Sequence, residues 1–167
     1  MRAYNRIELE KVARETGFIR DNLEKVIRLS NILEFLVSDD NLKGKVVLKG
    51  GTAINLTVFD MPRLSVDIDL DYCCNSDKDT MMADRAVIGQ EILGHMQSNG
   101  YTVHPSSKNT HALDSWVFSY LNAGGNKDNI KIEINYMMRT HILEPRTRKT
   151  SIPFIDEVDV YALSPLE

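Results

Sequence analysis

The chain has 167 residues, is 43% hydrophobic and carries a formal net charge of −4 with a pI of about 5.6. That is enough chain for one domain with a real core, and the acidic balance excludes an overall basic footprint for nucleic acid. No apolar run reaches the roughly 18 residues of a bilayer span, the first residues lack the apolar segment of a signal peptide, and Cys73 and Cys74 are adjacent, which rules out a disulfide framework or a CxxC metal site.

Taken in order, residues 7–38 carry apolar side chains at three- and four-residue spacing, among them Leu9, Val12, Leu23, Ile27, Leu33 and Leu36. Gly17 divides this stretch into two helices, and Asp21 suits the start of the second. Residues 45–48 read as a short buried strand ending at Gly50-Gly51. A short helix, residues 52–59, leaves that turn, and Pro62 closes the loop before a strand at about 65–72. A long helix is expected over residues 77–99, with Met81, Met82, Val87, Ile88, Ile92, Leu93 and Met96 as its apolar stripe and Gly100 as its stop. Three strands follow, at 101–104, 116–121 and 130–136, the last two joined by a hairpin loop over 122–129. Residues 158–162 read as one more short strand. The organisation expected is a single domain: a helical N-terminal segment (1–42), then a mixed sheet with a crossing helix (43–167), an α/β (α+β) fold.

The chemistry concentrates in two neighbouring segments. Asp67, Asp69 and Asp71 fall at every second position of a strand, so their carboxylates share one face while Val66, Ile68 and Leu70 point to the core. Like charges crowded on one face repel, and a hard divalent cation, which prefers oxygen ligands, would relieve this. A calcium loop is excluded, because the sixth and twelfth positions counted from Asp67 are Tyr72 and Lys78 rather than Gly and Glu. A solvated strand face and a two-metal site remain, and acidic residues are poor strand formers, which favours the metal site. Asp71 lies at the strand end and can simply be exposed, leaving Asp67 and Asp69 as the stronger pair. Upstream, Lys49-Gly50-Gly51-Thr52 ends a strand and opens a helix, where backbone N–H groups can cradle a phosphate. Thr52 can contact that phosphate or merely cap the helix.

Residues 130–136 alternate cleanly, with Ile130, Ile132, Ile134 and Tyr136 on one face and Lys131, Glu133 and Asn135 on the other. Glu133 is the natural third carboxylate, or else an ordinary exposed acid. Arg63, Ser65 and Lys49 flank the acidic strand as candidate phosphate contacts, or as surface polar groups. Arg139, Arg146, Arg148 and Lys149 form the best local basic patch. His95, His104, His111 and His141 show no metal-ligand spacing.

The segments Leu48-Lys49-Gly50-Gly51-Thr52-Ala53-Ile54-Asn55-Leu56 and Arg63-Leu64-Ser65-Val66-Asp67-Ile68-Asp69-Leu70 resemble the AbiEii/AbiGii toxin family of nucleotidyltransferases, within the polymerase β-like superfamily. The resemblance is specific over about residues 45–71 and weaker over the preceding helices and residues 130–136. It implies a polymerase β-like nucleotidyltransferase fold and metal-dependent transfer of a nucleotide from an NTP, often to an RNA such as tRNA, by the toxin of a type IV toxin–antitoxin pair. Asp67 and Asp69 would hold Mg²⁺ (or Mn²⁺), Gly50, Gly51 and Thr52 would cradle phosphate, and Glu133 would be the third carboxylate. The partners implied are an NTP, an RNA acceptor and a cognate antitoxin, with no membrane, in the cytoplasm. Relatives carry further Lys and Asp motifs in a helical C-terminal region, which is expected to begin where residues 158–167 end. Two other readings use the same chain: a non-catalytic nucleotide- or antitoxin-binding module, and a DNA-binding module on the helices around Gly17, which the acidic balance disfavours.

Overall fold

The computed structural model describes residues 5–57, 67–151 and 156–165. Two helices lead. Helix α1 (Arg6–Thr16) starts at a capping box: the Asn5 side chain accepts from the Glu8 N–H, and the Glu8 carboxylate accepts from the Asn5 N–H. It ends at Gly17, whose φ of 74° supplies the left-handed cap expected there. Helix α2 (Arg20–Ser38) buries Leu23, Val26, Leu29, Ile32, Leu33 and Leu36.

Among the described residues, eight strands and two helices follow: β1 (Val46–Leu48), α3 (Gly50–Thr57), β2 (Asp67–Tyr72), α4 (Lys78–Ser98), β3 (Thr102–Val103), β4 (Lys108–Asn109), β5 (Leu113–Leu121), β6 (Lys127–Asn135), β7 (Arg146–Lys149) and β8 (Asp159–Ala162). They form one mixed sheet in the order β3-β5-β6-β2-β1-β8-β7, with β4 also against β5. The β2–β6 and β1–β8 pairs are parallel and the others antiparallel. Parallel neighbours need a crossover connection, and α4 with β3, β4 and β5 lies between β2 and β6 in the chain.

The core lies on one side of the sheet. Ile68 and Leu70 of β2, Trp116, Phe118 and Tyr120 of β5, and Ile130, Ile132 and Ile134 of β6 join the α2 stripe and Ile88, Ile92 and Met96 of α4 in one buried cluster. A separate small cluster, Leu9, Leu23 and Ile27, joins α1 to α2. Polar clamps fix the helices. Glu24 accepts from the Ala123 N–H at 2.7 Å and pairs with Arg28, whose guanidinium lies over the Tyr120 ring at 4.1 Å. Arg85 of α4 pairs with buried Asp114 and donates to the carbonyls of Thr110 and His111.

Several expectations shift. Gly50 and Gly51 are the first residues of α3 rather than a turn before it. The β5–β6 hairpin is tighter than its expected loop, since the strands pair out to Leu121 and Lys127. Met82 and Val87 are exposed and lie off the buried stripe of α4, which is Met81, Ile88, Ile92 and Met96. Strands β4 and β7 have no apolar alternation, and the sheet recruits them through backbone pairing. The expected helix end at 58–59, Pro62, Arg63, Ser65 and Val66 lie outside the described residues.

Candidate functional site

The acidic strand sits at the centre of the sheet, between β1 and β6. Its parallel register with β6 sets Asp67 opposite Lys131, Asp69 opposite Glu133 and Asp71 opposite Asn135. Paired residues share a face, so Asp67, Asp69 and Glu133 project to the side away from Ile68, Leu70, Ile132 and Ile134, which are all buried. Asp67 is exposed, while Asp69 and Glu133 are half-buried. Sequence spacing put the two aspartates together; strand pairing brings in Glu133.

The glycine bend adjoins this row. The Lys49 N–H donates to the Asp69 carbonyl at 2.9 Å. Gly50 then turns with φ 69°, and a Cβ there would stand 3.1 Å from Asp69 Oδ2. A side chain at residue 50 would therefore crowd the carboxylate. Gly51 is exposed, with nothing within 4 Å of an added Cβ, so the N-terminal turn of α3 is open beside Asp69. The Thr52 hydroxyl is buried and donates to the Asp67 carbonyl at 2.5 Å. It braces α3 against β2.

Asp71 and Lys49 take different roles from those expected. Asp71 is buried rather than exposed at a strand end; its carboxylate accepts from Lys49 Nζ at 2.5 Å and from Asn135 Nδ2 at 2.9 Å. Lys49 is thus committed to an ion pair next to the site. Lys131 Nζ pairs with Glu133 Oε2 at 2.9 Å.

Charge in the row is unbalanced. Burial, with the neighbouring Glu133 and Asp67 charges, raises the Asp69 carboxyl above the usual carboxylate range. For Glu133 burial acts upward, but the Lys131 ammonium and the Ser115 hydroxyl outweigh it and hold the carboxyl below its ordinary value. Among the described residues, no group of three His, Cys, Asp or Glu side chains is already gathered to hold a metal ion. The donor set nevertheless suits a hard divalent cation. It offers only carboxylate oxygens, and Asp69 is held where its own charge is disfavoured, a condition a cation would relieve. Asp67 and Asp69 are the side chains placed to hold such an ion, and Glu133, now paired with Lys131, would have to leave that pair to join them. Arg63 and Ser65 fall outside the described residues. Of the basic patch, Arg139 donates to the Ser76 carbonyl, while Arg146, Arg148 and Lys149 lie on β7 at the far edge of the sheet. The described residues include no helix long and apolar enough to cross a membrane.

Comparison with known proteins gives a family and a fold. The family model described as "Nucleotidyl transferase AbiEii toxin, Type IV TA system" matches residues 32–167. Among solved structures, JHP933 from Helicobacter pylori superposes with a TM-score of 0.54 at 21% identity, covering 76% of this chain and 49% of that one. A candidate nucleotidyltransferase from H. pylori gives a TM-score of 0.54 at 20% identity, covering 85% of this chain and 54% of that one. The chain therefore spans about half the length of these two proteins, and at such identities the likeness is one of fold. No curated protein matches the chain.

Proposed function

Because the chain belongs to the AbiEii family of nucleotidyl transferase toxins from type IV toxin–antitoxin systems, we propose that it is the nucleotidyltransferase domain of such a toxin, moving a nucleotide from an NTP onto an RNA acceptor. The observation that carries this reading is the Asp69–Glu133 register beside the Gly50 bend, with Asp67 on the same face. Asp67 and Asp69, with Glu133, would hold Mg²⁺ or Mn²⁺. The bound ion would supply charge neutralisation at the phosphates and favour the acceptor hydroxyl as its oxyanion.

The chain's own residues do the rest by position and charge, since phosphoryl transfer asks little covalent work of the protein. Gly51, exposed at the start of α3, leaves room for a phosphate to approach the backbone N–H groups. Thr52 fixes that turn to β2 through the Asp67 carbonyl. Asp71, itself fixed by Asn135, holds Lys49 beside the row, so that its positive charge acts on Asp69 and Glu133. Arg63 and Ser65, which precede β2 in the sequence, are proposed as further phosphate contacts. The cognate antitoxin is the expected protein partner.

The test is NTP-dependent labelling of RNA by the full-length protein, wild type against Asp69→Asn. Loss of a metal-holding carboxylate at a site supplying several kcal/mol should reduce labelling on the order of 10³-fold, with the thermal midpoint close to wild type. Labelling that survives the substitution counts decisively against the assignment. The Lys131–Glu133 pair favours one other reading, a site that binds nucleotide without turnover. Stabilisation by Mg²⁺ and NTP without pyrophosphate release would select it.

A further inference from the structure

One cation is already present in the acidic row. Lys131 lies directly opposite Asp67 in the parallel register and two residues before Glu133 on the same face of β6. Its ammonium pairs with Glu133 Oε2 at 2.9 Å, and the charges of Asp67 and Asp69 act on it as well. Lys131 therefore faces the same three carboxylates that a divalent ion would need. The other lysine near the row, Lys49, forms its ion pair with buried Asp71, which Asn135 Nδ2 also contacts.

We propose that Lys131 is the resident cation of the site: it holds Glu133 and offsets the charge of Asp67 and Asp69 until a divalent ion displaces it, and so sets the metal concentration at which the site fills. This rests on the metal-site reading above. The physical case is short. Three carboxylates on one sheet face repel one another. An ammonium on a flexible four-carbon stem can neutralise them in part and leave without breaking the fold. The Lys131 side chain is 37% exposed and that of Glu133 is 25% exposed, so both have solvent into which to move. Filling the site then requires the ion to compete with an intramolecular charge, which weakens apparent affinity. It also leaves the empty site folded rather than strained.

The experiment uses the whole chain with Mn²⁺ alone as probe. Binding is read by the loss of the free-ion electron paramagnetic resonance signal for the wild type, Lys131→Met and Lys131→Arg. Met keeps the aliphatic stem and removes the charge. Lys131→Met should bind Mn²⁺ about tenfold more tightly than the wild type, while Lys131→Arg, which keeps the charge, should not bind more tightly than wild type. Without metal, the Lys131→Met melting temperature should fall by a few degrees and recover with saturating Mn²⁺. A second measurement needs no substitution. Amine-selective labelling of the wild type, read by mass spectrometry, should rise at Lys131 as Mn²⁺ is added, while labelling at Lys49 stays constant. Equal Mn²⁺ affinity in wild type and Lys131→Met, or Lys131 labelling indifferent to saturating metal, overturns the proposal and leaves the metal site standing. Absence of Mn²⁺ binding in every form overturns both.

Discussion

Gly50 meets two demands at once. Its φ of 69° lies in the left-handed region, and its missing Cβ leaves room for Asp69 Oδ2. Gly50→Ala should cost about 1–2 kcal/mol of stability through the backbone alone, read from urea midpoints. It should also lower RNA labelling further than that loss explains, because the methyl group presses on the carboxylate. Gly51→Ala is the contrast: φ is ordinary and the space is open, so stability should stay within about 0.5 kcal/mol or rise. Equal behaviour of the two variants would remove the close approach as a constraint. At this scale the sequence named Asp67, Asp69 and the glycines from spacing alone. It misplaced Asp71, because strand position says nothing about whether a cation waits nearby. The side chains of Lys49, just after β1, and of Asn135 on β6 supply that environment.

Helix α4 illustrates the element scale. Its span was legible because Asp77 caps its start and Gly100 follows its end. Its buried stripe was read too widely, since Met82 and Val87 share the periodicity but face outward. In its last turn, His95 stacks on Phe35 of α2, with ring centroids 3.7 Å apart and 12° between planes, and its buried Nε2 has no hydrogen-bond partner among the described residues. Burial lowers its pKa below 6.5, while Asp39 acts in the opposite direction. The unfolded chain therefore takes up the proton first as pH falls. The contribution of this contact is intact above pH 6.5, declines below it, and levels off once the folded form is protonated too. Urea midpoints at pH 7.5 and 5.5 should show a larger acid loss for wild type than for His95→Phe, which keeps the stack and removes the proton site. Equal losses would show that the α2–α4 contact does not sense pH in this range. Strand β7 is the opposite case to α4: Arg146-Thr147-Arg148-Lys149 has no apolar period, and only pairing with β8 makes it a strand.

In the whole molecule, stability is not spread evenly. The main core joins α2, α4 and the sheet, whereas α1 holds on through Leu9 against Leu23 and Ile27. Amide hydrogen exchange should therefore run faster in α1 than in β5 and β6, with Ile132 and Ile134 among the slowest. Uniform protection would show that α1 belongs to the same cooperative unit. The sequence by itself determined the helices, the Asp-x-Asp strand, the glycine bend and the inward row of isoleucines, because each follows from local periodicity and backbone freedom over a few residues. Only the tertiary structure decided that β6 lies parallel to β2 with Glu133 level with Asp69, that Lys131 occupies their company, and that Asp71 is buried on Lys49. Those facts depend on which strands become neighbours, and that choice is made by burying apolar faces from residues more than sixty positions apart, a long-range term that short windows of sequence do not carry.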